Sequence, residues 1–187
     1  MKGSPLLIIV SGAPGSGKTT LSRRLSTELA LPLLAKDDIK ELLFERTPDG
    51  DRAWSEQLGK IAIAMMYCGA EKFLANNQHV IIESAFTQSF SRSDVESLIG
   101  ITGARCIELH CSLPYSERQK RWSERARTTR HPRHLDNPDH IISERTDSKV
   151  GIGRMIEVDT SVPAEQYEQN YAMVTGVLRK ELQNDRS

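Results

Sequence analysis

Short apolar runs alternate with longer amphipathic stretches along the chain. Leu6-Leu7-Ile8-Ile9-Val10 is brief, branched and unbroken by polar residues, so it reads as a strand buried on both faces. Residues 33–35, 80–82, 105–111 and 156–159 read as four further strands, the fourth strand of the chain carrying Cys106, Ile107 and Leu109. Between them, helices are expected over 19–31, 39–45, 54–76, 91–100 and 114–128. In the longest, Trp54, Leu58, Ile61, Ala62, Met65 and Phe73 recur near helical spacing, and Asn76-Asn77 suits its end. Pro114 opens the helix after the fourth strand. Residues 129–138 carry two prolines and read as loop. Thr160 or Ser161 is placed to cap a last helix reaching about residue 182, with Tyr167, Tyr171, Val174 and Leu178 on one face. Such alternation builds an α/β domain around a parallel sheet, whose ligands sit beyond the carboxyl ends of the strands.

That rule directs attention to the residues just after each apolar run. The first run leads into Gly12-Ala13-Pro14-Gly15-Ser16-Gly17-Lys18-Thr19-Thr20, which contains the spacing G-x-x-x-x-G-K-T. Glycines let successive backbone N–H groups turn inward around phosphates, and the next helix points its positive end at them. Lys18 would reach the outer phosphates and the Thr19 hydroxyl would hold Mg²⁺. The plainer alternative is a glycine-rich turn that caps a helix. After the second strand come Asp37-Asp38-Ile39-Lys40. A hydroxyl acceptor needs a base that orients it and takes its proton. One carboxylate can do this while the other supports a magnesium-bound water or the substrate; alternatively, an aspartate here caps the helix. After the third strand stand Glu83 and Ser84, candidates for a magnesium-bound water, for substrate, or for a loop hydrogen bond.

The chain has 187 residues, with 25 basic and 25 acidic side chains, so its overall charge favours neither nucleic acid nor membrane. The length suits one domain over 1–187, with a lid region at about 114–149. Charge is nevertheless clustered. Arg118, Lys120, Arg121, Arg125, Arg127, Arg130 and Arg133 share a span with one acid, Glu124. Arg118, Arg121 and Arg125 fall on one helix face. They either form a solvated basic face or neutralise charge on a transferring phosphoryl group. His131 and His134 lack the companions of a zinc site. Trp54 and Trp122 suit core packing or lid contact better than base stacking. Three cysteines without C-x-x-C spacing point to a reducing, cytoplasmic setting, with Cys106 and Cys111 as core thiols. No apolar run is long enough to span a membrane, and Leu6 to Val10 is too short for a signal-peptide core.

The run from Gly12 to Leu21, together with Lys36-Asp37-Asp38-Ile39-Lys40, resembles the small P-loop kinases. It is most similar to the AAA-type ATP-binding kinases related to chloramphenicol phosphotransferase, zeta toxins and the kinase domain of polynucleotide kinase. The arginine-rich helix and Ile156-Glu157-Val158-Asp159-Thr160 before the final helix extend the likeness over nearly the whole chain. The resemblance implies a three-layer P-loop NTPase sandwich with a five-stranded parallel sheet of order 2-3-1-4-5 and a helical lid, together with ATP and Mg²⁺. It also implies Asp37 as general base with Asp38 in reserve, Lys40 at a position that tends to be basic, and Arg121 and Arg125 as lid arginines. The family's aspartate after the third strand is replaced by Glu83-Ser84, so Thr19, Asp38 and Glu83 are the metal candidates. Asp37, Lys40, Ser84 and Arg130 are the substrate candidates. Arg130-His131-Pro132-Arg133-His134-Leu135-Asp136 resembles an R-H-P-x-H-x-D signature of uncharacterised members.

The expected activity is transfer of the γ-phosphoryl of ATP to a hydroxyl of a small-molecule acceptor. The alternatives are a polynucleotide 5′-hydroxyl kinase and a nucleotide-binding module without kinase activity. No N-K-x-D guanine motif supports a GTPase, and the chain is short for a remodelling ATPase. The acceptor itself has no readable code.

Overall fold

In the computed structural model, the described residues are 3–47, 50–86, 88–126 and 149–183; the side chains of 52, 88–90 and 122–126 are not among them. Five strands, β1 (Leu6–Gly12), β2 (Leu33–Ala35), β3 (Val80–Glu83), β4 (Arg105–Ser112) and β5 (Arg154–Asp159), form one sheet in the order β2-β3-β1-β4-β5. Every pairing is parallel, with Ile8 opposite both Ile81 and Ile107. This is the α/β topology of P-loop NTPases, as the resemblance implied. The helices are α1 (Lys18–Leu29), α2 (Lys36–Arg46), α3 (Arg52–Ala75), α4 (Gln88–Thr102), α5 (Tyr115–Ala126) and α6 (Ala164–Gln183).

The unbroken apolar character of β1 reflects its central place. Leu6, Ile8 and Val10 point to a core shared with Leu21 and Leu25 of α1 and Tyr171, Val174 and Leu178 of α6. Leu7 and Ile9 point the other way, to Met66, Ala70 and Leu74 of α3 and Val95 and Leu98 of α4. Each such side chain taken fully from water contributes roughly 1.5–3 kcal/mol. On the first face, Arg24 of α1 donates two 2.6 Å bonds to Glu168 and lies 3.6 Å over the Tyr171 ring, while the Tyr171 hydroxyl donates to Glu28 at 2.7 Å. These contacts clasp α1, the helix behind Lys18, to α6.

Four expectations need correction. On α3 the buried row is Leu58, Ala62, Met66 and Ala70, whereas Ile61 and Met65 are 46% and 49% exposed. The apolar positions on this helix outnumber those one face can bury, and tertiary packing chose the face. Helix α2 starts at Lys36 rather than 39, so Asp37 and Asp38 occupy its first turn, where acidic groups complement the helix dipole. Strand β5 starts two residues earlier than read, at Arg154. Helix α6 starts at Ala164, and Thr160 is not its cap but is turned toward the glycine loop. One cap went unread: the Asp51 side chain accepts from the Trp54 amide of α3 at 2.9 Å.

Candidate active site

Between Gly12, which ends β1, and Lys18, which begins α1, the chain turns through three positive-φ glycines: Gly12 at 139°, Gly15 at 81° and Gly17 at 86°. Only Gly12 leaves no room at all. A Cβ there would stand 2.4 Å from the Cys111 carbonyl oxygen, so the loop lies flush on the end of β4. At Gly15 a Cβ would lie 3.2 Å from the backbone oxygen of Arg118, which shows α5 seated on the loop. The loop is also held from β5. Thr160 Oγ1 donates to the Ser16 carbonyl at 2.9 Å, and it lies 3.1 Å from the Ser112 carbonyl. Arg121 of α5 donates from Nη2 to the Thr160 carbonyl at 2.9 Å, which brings its guanidinium beside Gly17.

Within this cradle, Lys18 is only 6% exposed. Its Nζ donates to the Ala13 carbonyl at 3.3 Å and lies 3.9 Å from Glu83 Oε1. Thr19 Oγ1 donates to Glu83 Oε2 at 3.2 Å. Glu83 is the last residue of β3 and is buried. Burial raises its carboxyl above the ordinary 4.5; Lys18 and the Thr19 hydroxyl pull it down, and the charges of Asp37 and Asp38 add to the rise. The Ser16 hydroxyl is buried with no hydrogen-bond partner. A buried orphan donor calls for an explanation, and a phosphate bound in the ring of loop amides would offer it an acceptor.

A family model described as an AAA domain matches residues 7–144. The chain belongs to this family. A provisionally assigned kinase from Chloroflexus aurantiacus is 34% identical with a TM-score of 0.83, the match covering 95% of this chain and 98% of that one. A gluconokinase from Sinorhizobium meliloti is 18% identical with a TM-score of 0.58 over 98% of this chain and 99% of that one. A chain of the Pnkp1/Rnl/Hen1 RNA repair complex is 24% identical with a TM-score of 0.58 over 79% and 45%. The last two likenesses show the fold alone. No curated protein matches the chain. Family and neighbours together make this AAA-family chain a P-loop kinase-like domain and support phosphotransfer.

In this AAA-family domain the remaining site candidates separate. Asp37 is 63% exposed at the head of α2 and accepts from Lys36 Nζ at 2.8 Å. Asp38 instead pairs with Arg23 of α1 at 2.8 Å on the exposed surface. Lys40 Nζ donates to Ser55 Oγ of α3 at 3.1 Å and lies 5.2 Å over the ring of Phe44, one turn on along α2. Ser84 is buried beside β1, its amide donating to the Val10 carbonyl at 3.3 Å. Thr20 is exposed on α1. Arg125 lies on α5, but its side chain is outside the described residues, as are Arg130, His131 and His134 entirely. Burial pushes the Cys106 and Cys111 thiols up to about 12, as suits packing groups.

Sequence reasoning missed Thr160 as a clamp on the loop. Its signal was present, a threonine directly after the fifth strand, but the same residue type caps helices and only the fold shows which carbonyl it faces.

The all-oxygen set of Thr19 and Glu83 fits Mg²⁺, a hard cation held by few protein ligands. When bound, the ion would neutralise charge on the phosphates. Glu83 also makes a prediction for stability. As pH rises above about 4.5, the unfolded chain releases this proton before the folded one does, so stability falls until Glu83 ionises in the fold. Glu83→Gln removes that contribution. Urea unfolding of both proteins from about pH 4 to 8 isolates it, because carboxylates shifted the other way, such as Glu157 and Asp159, are common to both. Parallel pH profiles would refute the assignment.

Proposed function

We propose that this protein transfers the γ-phosphoryl group of ATP, with Mg²⁺, to a hydroxyl of a small-molecule acceptor. The observation that carries the reading is the convergence of Lys18, Thr19 and Glu83 under the glycine loop. A loop that binds phosphates serves many chemistries; an exposed carboxylate at the head of the helix after β2 suits a base for an incoming hydroxyl. In this reading Asp37 orients the acceptor and takes its proton. Lys18 holds the charge that spreads over the transferred group, Thr19 and Glu83 hold the metal, and Arg121 stabilises the same charge from α5. Arg125 and Arg130 are proposed to add to it, with Lys40 and Ser84 on the acceptor side.

A small acceptor is favoured over a nucleic-acid strand by the packing of α2 and the placement of the described arginines. Lys40 donates to Ser55 of α3, and the Phe44 and Trp54 rings meet at 5.1 Å, tilted by 59°, so α2 is packed against α3. Among the described residues, Arg121 is bound to the Thr160 carbonyl and Arg118 is buried with its guanidinium 5.5 Å over the Tyr115 ring, so these two are not laid out as a track.

The test is a screen of metabolites, antibiotics and 5′-hydroxyl oligonucleotides for ATP consumption above background. Stimulation by a small hydroxyl compound is expected. Stimulation by oligonucleotides alone, with binding that weakens steeply in salt, would move the assignment to a polynucleotide kinase. ATP binding with no stimulated turnover would leave a nucleotide-binding module.

A further inference from the structure

A second polar cluster lies behind the loop, on the α3–α4 face of the sheet, and phosphoryl transfer as described above makes no use of it. Ser11, Glu108 and His110 are all buried. Ser11 precedes Gly12 on β1 and stands opposite His110 on β4. Its hydroxyl lies 2.6 Å from Glu108 Oε1 and 3.0 Å from His110 Nδ1. Glu108 also accepts the backbone amides of Val150 at Oε1 and Gly151 at Oε2, both at 2.8 Å. Donors therefore meet both carboxylate oxygens. The single hydroxyl proton of Ser11 is directed at the closer partner, Glu108, which assigns the Nδ1 proton to His110. The order is Nδ1–H to Oγ–H to Oε1. The carboxylate touches the hydroxyl and not the ring, so this is not a nucleophile with its base.

The stretch leading into β5 is pinned around this cluster. Arg92 of α4 donates to the Gly151 carbonyl at 3.0 Å, and Lys149 pairs with Glu157 at 2.8 Å. Gly153, at φ 72°, lies so close to Cys106 that a Cβ would meet its carbonyl oxygen at 2.3 Å. Val150 is buried in the α3–α4 core. Glu108 is thus the joint between this clamped stretch and the residue that enters the glycine loop. Gly12 has no slack against the Cys111 carbonyl, so a small displacement of Ser11 passes directly into the loop.

We propose that Glu108, acting through Ser11, is a positioning residue for the nucleotide-binding loop and ties its entry to residues 149–151. The inference rests on the reading of that loop as an ATP site. A glutamine at 108 cannot reproduce the contact, because its NH₂ must face a donor whichever way the amide is turned. Ser11→Ala breaks the same chain from the other side while sparing the amide bonds.

The experiment measures ATP binding in the presence of Mg²⁺ by calorimetry, well below the melting temperature, for wild type, Glu108→Gln, Ser11→Ala and the double variant. Melting curves are recorded alongside. Each single variant is expected to raise Kd by about 3- to 10-fold, the scale of one lost buried hydrogen bond, and the double variant no further than the larger single effect. A lowered melting temperature with every Kd within about twofold of wild type would overturn the inference, leaving the cluster purely structural. Additive effects on Kd would overturn the coupling through Ser11. Should Glu108→Gln not fold, Ser11→Ala alone decides: unchanged affinity refutes. Absence of ATP binding by wild type would instead refute the nucleotide reading itself.

Discussion

Lys18→Met is expected to lower acceptor-stimulated phosphoryl transfer by about 10³-fold, with the protein still folded. The magnitude reflects where the ammonium sits. It is nearly excluded from water, held by the Ala13 carbonyl and 3.9 Å from Glu83. A fixed charge in a site of low dielectric stabilises developing phosphoryl charge far more than a solvated one does, and it needs no reorganisation during the reaction. Methionine keeps the apolar stem and removes the charge. It also removes the cation that draws the Glu83 carboxyl down, so that burial and the neighbouring aspartates act on Glu83 unopposed by Lys18. Metal binding by Thr19 and Glu83 should weaken in the same variant, most at low pH, where Glu83 holds its proton. Steady-state kinetics with the acceptor found in the screen, at varied Mg²⁺ and pH, checks both parts. Activity within tenfold of wild type in a folded Lys18→Met protein would remove Lys18 from the reacting phosphate.

Asp37→Asn is expected to lower kcat by about 10²- to 10⁴-fold while leaving the Kd for ATP within about twofold. Asparagine keeps the shape and can still meet the acceptor hydroxyl, but it cannot take its proton. Asp38→Asn is the control. Its carboxylate is committed to Arg23 on an exposed face of α1, so its loss should change turnover little. The split between kcat and ATP affinity separates a base from a group that merely shapes the loop. The reverse pattern, with Asp38→Asn inactive and Asp37→Asn active, would transfer the base to Asp38. Equal activity in both would remove the first turn of α2 from the chemistry.

Much of this site was readable in the chain because its signals are local. A glycine loop between a strand and a helix sets its own backbone geometry, and Gly12, Gly15 and Gly17 adopt the positive φ angles that such a loop demands. Strands β1 and β3 were legible because they are buried and carry an unbroken apolar run, whereas β4 and β5 were read through the polar residues Glu108, His110 and Glu157. Glu83 entered the reading as an uncertain stand-in for an aspartate. In the fold its longer side chain reaches both Lys18 and Thr19 from the last residue of β3.

The residues read less well are those whose meaning depends on a partner distant in sequence. Asp37 and Asp38 are adjacent and chemically identical, yet one pairs with its neighbour Lys36 and the other with Arg23 from α1. Lys40 read as a substrate candidate, and its contact with Ser55 of α3 could not be read from the chain. Thr160 read as a cap and is a clamp 144 residues from the carbonyl it holds. Glu108, inside an apolar strand, carried no motif at all.

The sequence alone therefore determined the strand and helix order, the buried strands and the phosphate loop, because periodicity and glycine φ preferences act within a few residues. The tertiary structure decided which face of α3 is buried and that Asp38, not Asp37, pairs with Arg23 of α1. It also decided which carbonyl Thr160 binds and what the buried Glu108 joins. Each of these is a choice among chemically equivalent local options, and only the packing of distant segments against one another makes them unequal.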